Sequence, residues 1–192
     1  MKRCRYICAA TTTGSVNILD SVTFKKIKTW NAYTSRVIDM DAQHDFIVTC
    51  GISARMQQAY MSLQPEAFVN VFDLKNMISM APIPFPAGGA FVRMHPRMST
   101  TSVVASQHGQ IQVVDLMNVN TNNIRQANLA PNEYLSTMEI APSGEAILLG
   151  DTSGQIHLWG SPARIRFAEL SNPVEFADPE ETHPTLNWSV DT

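Results

Sequence analysis

Apolar residues recur at every second position in four short stretches of the chain, Val16-Asn17-Ile18, Val69-Asn70-Val71, Ile111-Gln112-Val113 and Ile156-His157-Leu158. A period of two is what a half-buried β-strand requires, because successive side chains leave a strand on opposite faces. Each stretch follows a second apolar, β-rich run and a polar turn that usually ends in Gly. The four units are ICAATTTGSVNILD at 7–20, FIVTCG at 46–51 resumed by FVNVFD at 68–73, SVVASQHGQIQVVD at 102–115 and AILLGDTSGQIHLWG at 146–160. They predict four hairpins, with Gly14, Gly109 and Gly154 at turn positions that need a positive φ. In the second unit, Arg55-Met56-Gln57-Gln58-Ala59-Tyr60 and the polar run after it form an insertion, predicted to be a long surface loop in place of a tight turn.

The residues that close the units, Asp20, Asp73, Asp115 and Gly160, recur at intervals of 53, 42 and 45 residues, the insertion accounting for the longest. A period of about 40–45 residues built of short strands is the signature of β-propeller blades, the WD40 repeat in particular. The Trp-Asp dipeptide is degenerate here: Leu19-Asp20, Phe72-Asp73, Val114-Asp115 and Trp159-Gly160. Ala32-Tyr33 stands where a Gly-His pair is usual, and Asp151 is the one turn residue able to supply the buried carboxylate of such blades. Val37 to Ala42, Phe91 to His95 and Tyr134 to Ala141 read as innermost strands, and Lys26 to Trp30, Asn123 to Ala127 and Arg164 to Leu170 as outer ones. The fold class is therefore all-β: a partial WD40-like propeller of about four blades, each of four antiparallel strands, over residues 1–171. A β-sandwich is the competing architecture. Residues 172–192, with Pro173, Pro179 and Pro184, break the pattern and read as an extended Pro- and acid-rich linker.

The chain has 192 residues, 44% apolar and 16% charged, enough to build a core. At roughly 43 residues per blade this length gives about four and a half blades, against the roughly 300 residues of a ring of seven, the number that the family resemblance below implies. An incomplete ring predicts an exposed sheet face at the open end, with Val16 and Ile18 on it, and hence poor solubility or self-association. The net charge of −3 gives no general polyanion-binding surface, although residues 1–36 hold seven bases against one acid and residues 165–192 one base against six acids. Cys4, Cys8 and Cys50 form no disulfide framework and fit a reducing compartment; Cys8 and Cys50, inside apolar runs, read as small core residues. No segment reaches the length of a membrane-spanning helix.

Chemistry-bearing residues are few. Asp39 and Asp41 lie on one face of a predicted strand, as a metal site or an acid/base pair requires, and equally as a wet channel-lining strand requires. Asp178-Pro179-Glu180 superficially matches the carboxylate pair of a two-metal exonuclease, but its central proline and apolar-poor surroundings argue against a buried strand. Arg93, His95 and Arg97, alternating along Phe91-Val92-Arg93-Met94-His95-Pro96-Arg97, would present a basic row to phosphates or to an acidic peptide if one strand carried all three. The competing reading is a polar strand face with cross-strand pairing. Methionines such as Met40, Met56, Met80, Met94, Met98 and Met138 are scattered and read as gap-fillers, and Pro82 to Gly89 as a rigid connector between blades.

GSVNILD (14–20), DMDAQHDFIVTCG (39–51), VNVFDLKNM (69–77), IPFPAGGAFVRMHPRMSTTS (83–102), IAPSGEA (140–146), IHLWGSP (156–162) and NPVEFADPE (172–180) together resemble the N-terminal propeller of the catalytic subunit of the poly(A)-binding-protein-dependent poly(A) nuclease, in its fungal form. The resemblance runs from about Tyr6 to the end and implies the C-terminal part of that propeller and the start of the linker that follows it. In that family the linker grips a dimeric adaptor subunit, and a ubiquitin-hydrolase-like domain and an exonuclease with Asp and Glu metal ligands come after it. The resemblance therefore implies a non-catalytic scaffold segment with no cofactor of its own, the divalent metal belonging to the exonuclease. The implied partners are the adaptor subunit and, indirectly, poly(A)-binding protein with poly(A) RNA, without membrane or small-molecule substrate. The implied setting is the cytoplasm, with P-body association. Arg93, His95, Arg97 and, in the linker, Trp188 are the expected partner surface. Met1 falls where such a propeller has already completed several blades, and the chain ends as the linker begins. Tyr33 departs from the family, which usually has His there. Two other functions compete: a generic WD40 interaction module unrelated to mRNA decay, and a small hydrolase using Asp39 and Asp41.

Overall fold

The computed structural model describes residues 5–57, 60–118 and 124–164, and every regular element within them is a β-strand. All four predicted hairpins are present. Strands β1 (Tyr6–Ala10) and β2 (Ser15–Asp20) form the first, β5 (Phe46–Gln57) and β7 (Phe68–Asp73) the second, β11 (Thr101–Ala105) and β12 (Gln110–Asp115) the third, and β15 (Ala146–Asp151) and β16 (Ile156–Gly160) the fourth. Gly14, Gly109 and Gly154 have φ of 83°, 85° and 84°. At Gly14 no side chain is tolerated, because a Cβ there would lie 2.1 Å from the Tyr33 carbonyl oxygen.

The hairpins build four antiparallel sheets of unequal size. The first is β1-β2-β3, with β3 at Lys26–Asn31. The second has the order β4-β5-β7-β8, with β4 at Arg36–Gln43 and β8 at Ile78–Ser79. Two further strands join it, β6 (Tyr60–Pro65) on β5 and β9 (Ile83–Pro84) on β7. The third is β10-β11-β12-β13, from Phe91–Met94 to Ile124–Gln126, and the fourth is β14-β15-β16, with β14 at Leu135–Ile140. Among the described residues, only the third sheet has the expected four strands. The first has no innermost strand among the described residues, and the outer strand expected at 164–170 lies almost wholly outside them. The expected inner strands are β4, β10 and β14, and β10 lies against both of the others.

The insertion after Cys50 is not a loop. β5 continues to Gln57 and turns back as β6, with Ile52 opposite Pro65 and Met56 opposite Met61. Backbone pairing over six positions satisfies N–H and C=O groups that a loop would leave to water. The connector at 82–89 does more than join blades, because Ile83 and Phe85 are buried.

Three apolar layers fill the gaps between consecutive sheets, an arrangement of blades rather than of a sandwich. Val16, Ile18, Trp30, Ile47 and Phe72 form the first layer, and the Trp30 and Phe72 rings stack at 4.7 Å. Val48, Cys50, Val71, Phe85, Val92 and Val104 lie in the second. Val103, Ala105, Ile111, Leu135, Met138 and Leu149 lie in the third. Neighbours on one strand, such as Ile47 and Val48, therefore serve opposite layers, which is why the central strands read as continuous apolar runs. Val16 and Ile18, expected on an exposed face, are fully buried because they turn toward Ile47 and Phe72 of the second sheet. Met94 and Met138 fill core gaps, whereas Met56 and Met98 are exposed, and Cys8 is only half-buried beside a buried Cys50.

Candidate functional site

The inner strands β4, β10 and β14 bring Asp39, Asp41, Arg93 and Glu139 together. On β4, Asp39 and Asp41 are two residues apart, the same repeat as alternate backbone N–H groups on an adjacent strand. Both carboxylates use that match. Asp39 Oδ2 accepts the Val92 N–H at 3.0 Å and Asp41 Oδ2 accepts the Met94 N–H at 2.7 Å. Their other oxygens accept the N–H of Met40 at 3.0 Å and of Ala42 at 2.8 Å. The pair clamps the free edge of β10, with each of the four carboxylate oxygens engaged by a backbone N–H. Among the described residues no group of three His, Cys, Asp or Glu side chains is placed to hold a metal ion.

Arg93 bridges the three inner strands. Its Nη1 donates to Asp39 Oδ2 at 2.6 Å and its Nε to Glu139 Oε1 at 3.0 Å. Partial burial opposes the guanidinium charge, but the Asp39 and Glu139 carboxylates outweigh it and hold the pKa of Arg93 above its ordinary value. The expected basic row does not form. β10 ends at Met94 because Pro96 cannot continue a ladder, and the chain turns at His95. His95 Nδ1 accepts the N–H groups of Arg97 at 3.2 Å and Met98 at 3.0 Å, which assigns its proton to Nε2, the donor to the Gly144 carbonyl at 3.1 Å. A Cβ on Gly144 would fall 2.3 Å from that ring, so the contact requires glycine. Of the expected row, Arg97 keeps an exposed guanidinium without an ion-pair partner among the described residues. Trp188 and Asp178-Pro179-Glu180 lie outside them.

Two further groups stand in for the usual blade network. The buried Tyr33 donates its hydroxyl to the Thr49 carbonyl at 2.6 Å, and Gly51 makes room for the ring, since a Cβ there would approach it to 2.4 Å. Burial raises the pKa of the Tyr33 hydroxyl and keeps it a neutral donor. Asp151, at the end of β15, accepts the Ser153 hydroxyl at 2.6 Å, the N–H groups of Ser153 and Gln155 at 3.0 Å each, and His157 Nε2 at 2.9 Å. The Ser153 hydroxyl and then His157 hold the Asp151 carboxyl down to about 2. Asp151, Ser153 and His157 are the residue types of a catalytic triad, but serine and histidine both bond the carboxylate and not each other. These three therefore form no nucleophile–base pair.

A feature that sequence reasoning missed lies beside the starts of the inner strands. β4 and β14 each carry a bulge, at Ile38 and Ser136, and both residues line one open cavity of about 450 Å³ with Ala90, Phe91 and Tyr134. Bulges re-aim side chains without leaving a mark in the apolar alternation, so only the register exposes them. Tyr134 also meets His108 edge to face at 5.4 Å.

Sheets packed face to face through shared apolar layers, with a clamp between their inner strands, define a WD40-type propeller segment. The fold matches solved propellers: the Neurospora crassa Pan2 WD40 domain superposes with a TM-score of 0.73 at 44% identity, covering 87% of this chain and 51% of that one. The β-propeller domain of Myceliophteria thermophila Cps50 (Swd1) shares the fold at a TM-score of 0.65 and only 14% identity, covering 83% and 50%. A family model described as PAN2 N-terminal matches residues 1–160, and the chain belongs to that family. It is 54% identical over 192 residues to the PAN2-PAN3 deadenylation complex catalytic subunit PAN2 of Chaetomium thermophilum, covering 100% of this chain and 16% of that protein. It is also 54% identical to the same subunit of Phaeosphaeria nodorum, covering 17% of it. The chain thus spans about a sixth of the length of these curated relatives.

Proposed function

We propose that this chain is a non-catalytic scaffold segment of a poly(A)-nuclease deadenylase catalytic subunit, docking the adaptor subunit and the poly(A) ribonucleoprotein for tail shortening in the cytoplasm. The observation that carries this reading is 54% identity along the whole chain to a subunit named for a PAN2-PAN3 deadenylation complex. The geometry supports the non-catalytic part, since Asp39, Asp41 and Arg93 are engaged between blades and Asp151 within the β15–β16 hairpin. The hydrolase alternative on Asp39 and Asp41 is not favoured, because both carboxylates are engaged in fastening β4 to β10. Residues 1–171 are read as the propeller segment and 172–192 as the linker, with Trp188 a contact of the latter and Arg97 the exposed contact of the former.

Co-expression with the adaptor subunit tests this. The tagged chain is expected to retain the adaptor through affinity and size-exclusion steps, and Trp188→Ala to weaken retention. An adaptor that elutes entirely free of the chain would sink the proposal in favour of an interaction module of another pathway.

A further inference from the structure

Of the chain's eleven prolines, Pro162 alone follows a serine or threonine. Ser161-Pro162-Ala163-Arg164 leaves the end of β16 as a four-residue turn, closed by the Arg164 N–H donating to the Ser161 carbonyl at 2.9 Å. All four residues are exposed. Proline at the second position suits such a turn and keeps the residue before it extended, so the Ser161 hydroxyl stands clear of the sheet. That hydroxyl has no hydrogen-bond partner among the described residues.

The surroundings are those of an anion receiver. Ser161 opens onto a cavity of about 490 Å³ that Arg97 and Arg164 also line, with His95, Gly144 and Glu145. Arg97 comes from the turn after β10 in the third sheet and Arg164 from beyond the fourth, so the cavity spans the cleft that the His95–Gly144 hydrogen bond crosses. Both guanidiniums lack ion-pair partners among the described residues, and Glu145 is the single opposing charge.

We propose that Ser161 is a phosphorylation site for a proline-directed kinase, and that Arg97 and Arg164 receive the phosphate, fastening the third sheet to the fourth. In the transfer, Ser161 Oγ bonds to the γ-phosphorus of ATP, the bond from that phosphorus to the bridging oxygen breaks, ADP departs, and the hydroxyl proton passes to the kinase's catalytic carboxylate. Pro162 and Arg164 supply the residue after the acceptor and the basic residue three beyond it. A dianion with three acceptor oxygens between two free guanidiniums gains charge-assisted bonds that the unmodified serine cannot make. The inference shares Arg97 with the deadenylase reading but does not rest on it, because no step of it requires the adaptor.

The full 192-residue chain, incubated with a cyclin-dependent kinase and labelled ATP, is expected to take up one phosphate that mass spectrometry maps to Ser161, with uptake lost in Ser161→Ala and Pro162→Ala. Phosphorus NMR then reads reception: the second ionisation of phosphoserine, ordinarily near pH 6, is expected to fall by about one unit and to return in Arg97→Ala. Arg97 is exposed, and Arg97→Lys, which keeps the charge, is expected to retain most of the shift. Two results would overturn the proposal: no label at Ser161 while a synthetic peptide of residues 156–164 is phosphorylated, or a phosphoserine that titrates identically in the parent and Arg97→Ala.

Discussion

Phe24 and Met77 occupy the same place in two blades, four residues after the closing Asp20 and Asp73, and both have φ of 55°. The closing aspartates make the turn. Asp20 accepts the N–H groups of Val22 and Thr23 at 3.0 and 2.7 Å, and Asp73 those of Lys75 and Asn76 at 2.7 and 3.0 Å. A bulky side chain in the left-handed region is strained, and Phe24, mostly exposed, recovers little by burial. Phe24→Asn is expected to raise stability by about 0.5–1 kcal/mol, read as a higher urea midpoint at unchanged slope. Asp151 sets an acid limit. Its folded pKa of about 2 lies below the unfolded value near 3.9, so its contribution is complete above the unfolded value and disappears as pH falls through the folded one. The stability lost in Asp151→Asn is therefore expected to be present in full at pH 6 and to shrink steadily below about pH 4, measured by urea unfolding across that range.

The hairpin is the element that the amino-acid pattern reveals best, because everything that makes one is local: a period of two, a polar turn, a glycine with positive φ. Asp39 and Asp41 show where legibility stops. Two carboxylates at strand spacing look alike whether they face a metal ion or a row of N–H groups, and the groups that decide the matter, Val92 and Met94, are 53 residues away. The basic row of Arg93, His95 and Arg97 fails for the same reason, since Arg93 answers to carboxylates on two other sheets. The β5–β6 extension was hidden because its alternation, through Ser53 and Arg55, is too polar to stand out. Arg93→Ala is expected to cost about 1–2 kcal/mol by stranding a partly buried Asp39. In a double-mutant cycle with Asp39→Ala, the combined loss is expected to fall short of the sum of the single losses by about 0.5–1.5 kcal/mol. Strict additivity in urea unfolding would mean that the bridge holds nothing.

Blades are stabilised by what lies between them, so the molecule's weak points are its layers and its uncovered face. Phe72 both fills the layer between the first two sheets and stacks on Trp30. Phe72→Ala is expected to cost about 3–5 kcal/mol, enough to threaten a domain of ordinary stability, and calorimetry reads it directly. The uncovered face belongs to the fourth sheet, not to Val16 and Ile18. Leu149 on β15 points into the third layer, whereas Leu148, Ile156 and Leu158 alternate to the opposite side and are 40%, 75% and 44% exposed. Leu148 pairs with Leu158 and Gly150 with Ile156, so the three side chains form one patch on neighbouring strands. An apolar sheet face of this kind is a site of association, because burying it removes hydrocarbon from water without disturbing any pairing within the sheet. The chain is therefore expected to sediment as a concentration-dependent mixture of monomer and larger species. Ile156→Lys combined with Leu158→Glu is expected to shift it to monomer with little change in melting temperature, since exposed positions contribute little to folding. A wild-type chain that stays monomeric at high concentration would show that this patch does not drive association, and a double variant that unfolds would show that it belongs to the core.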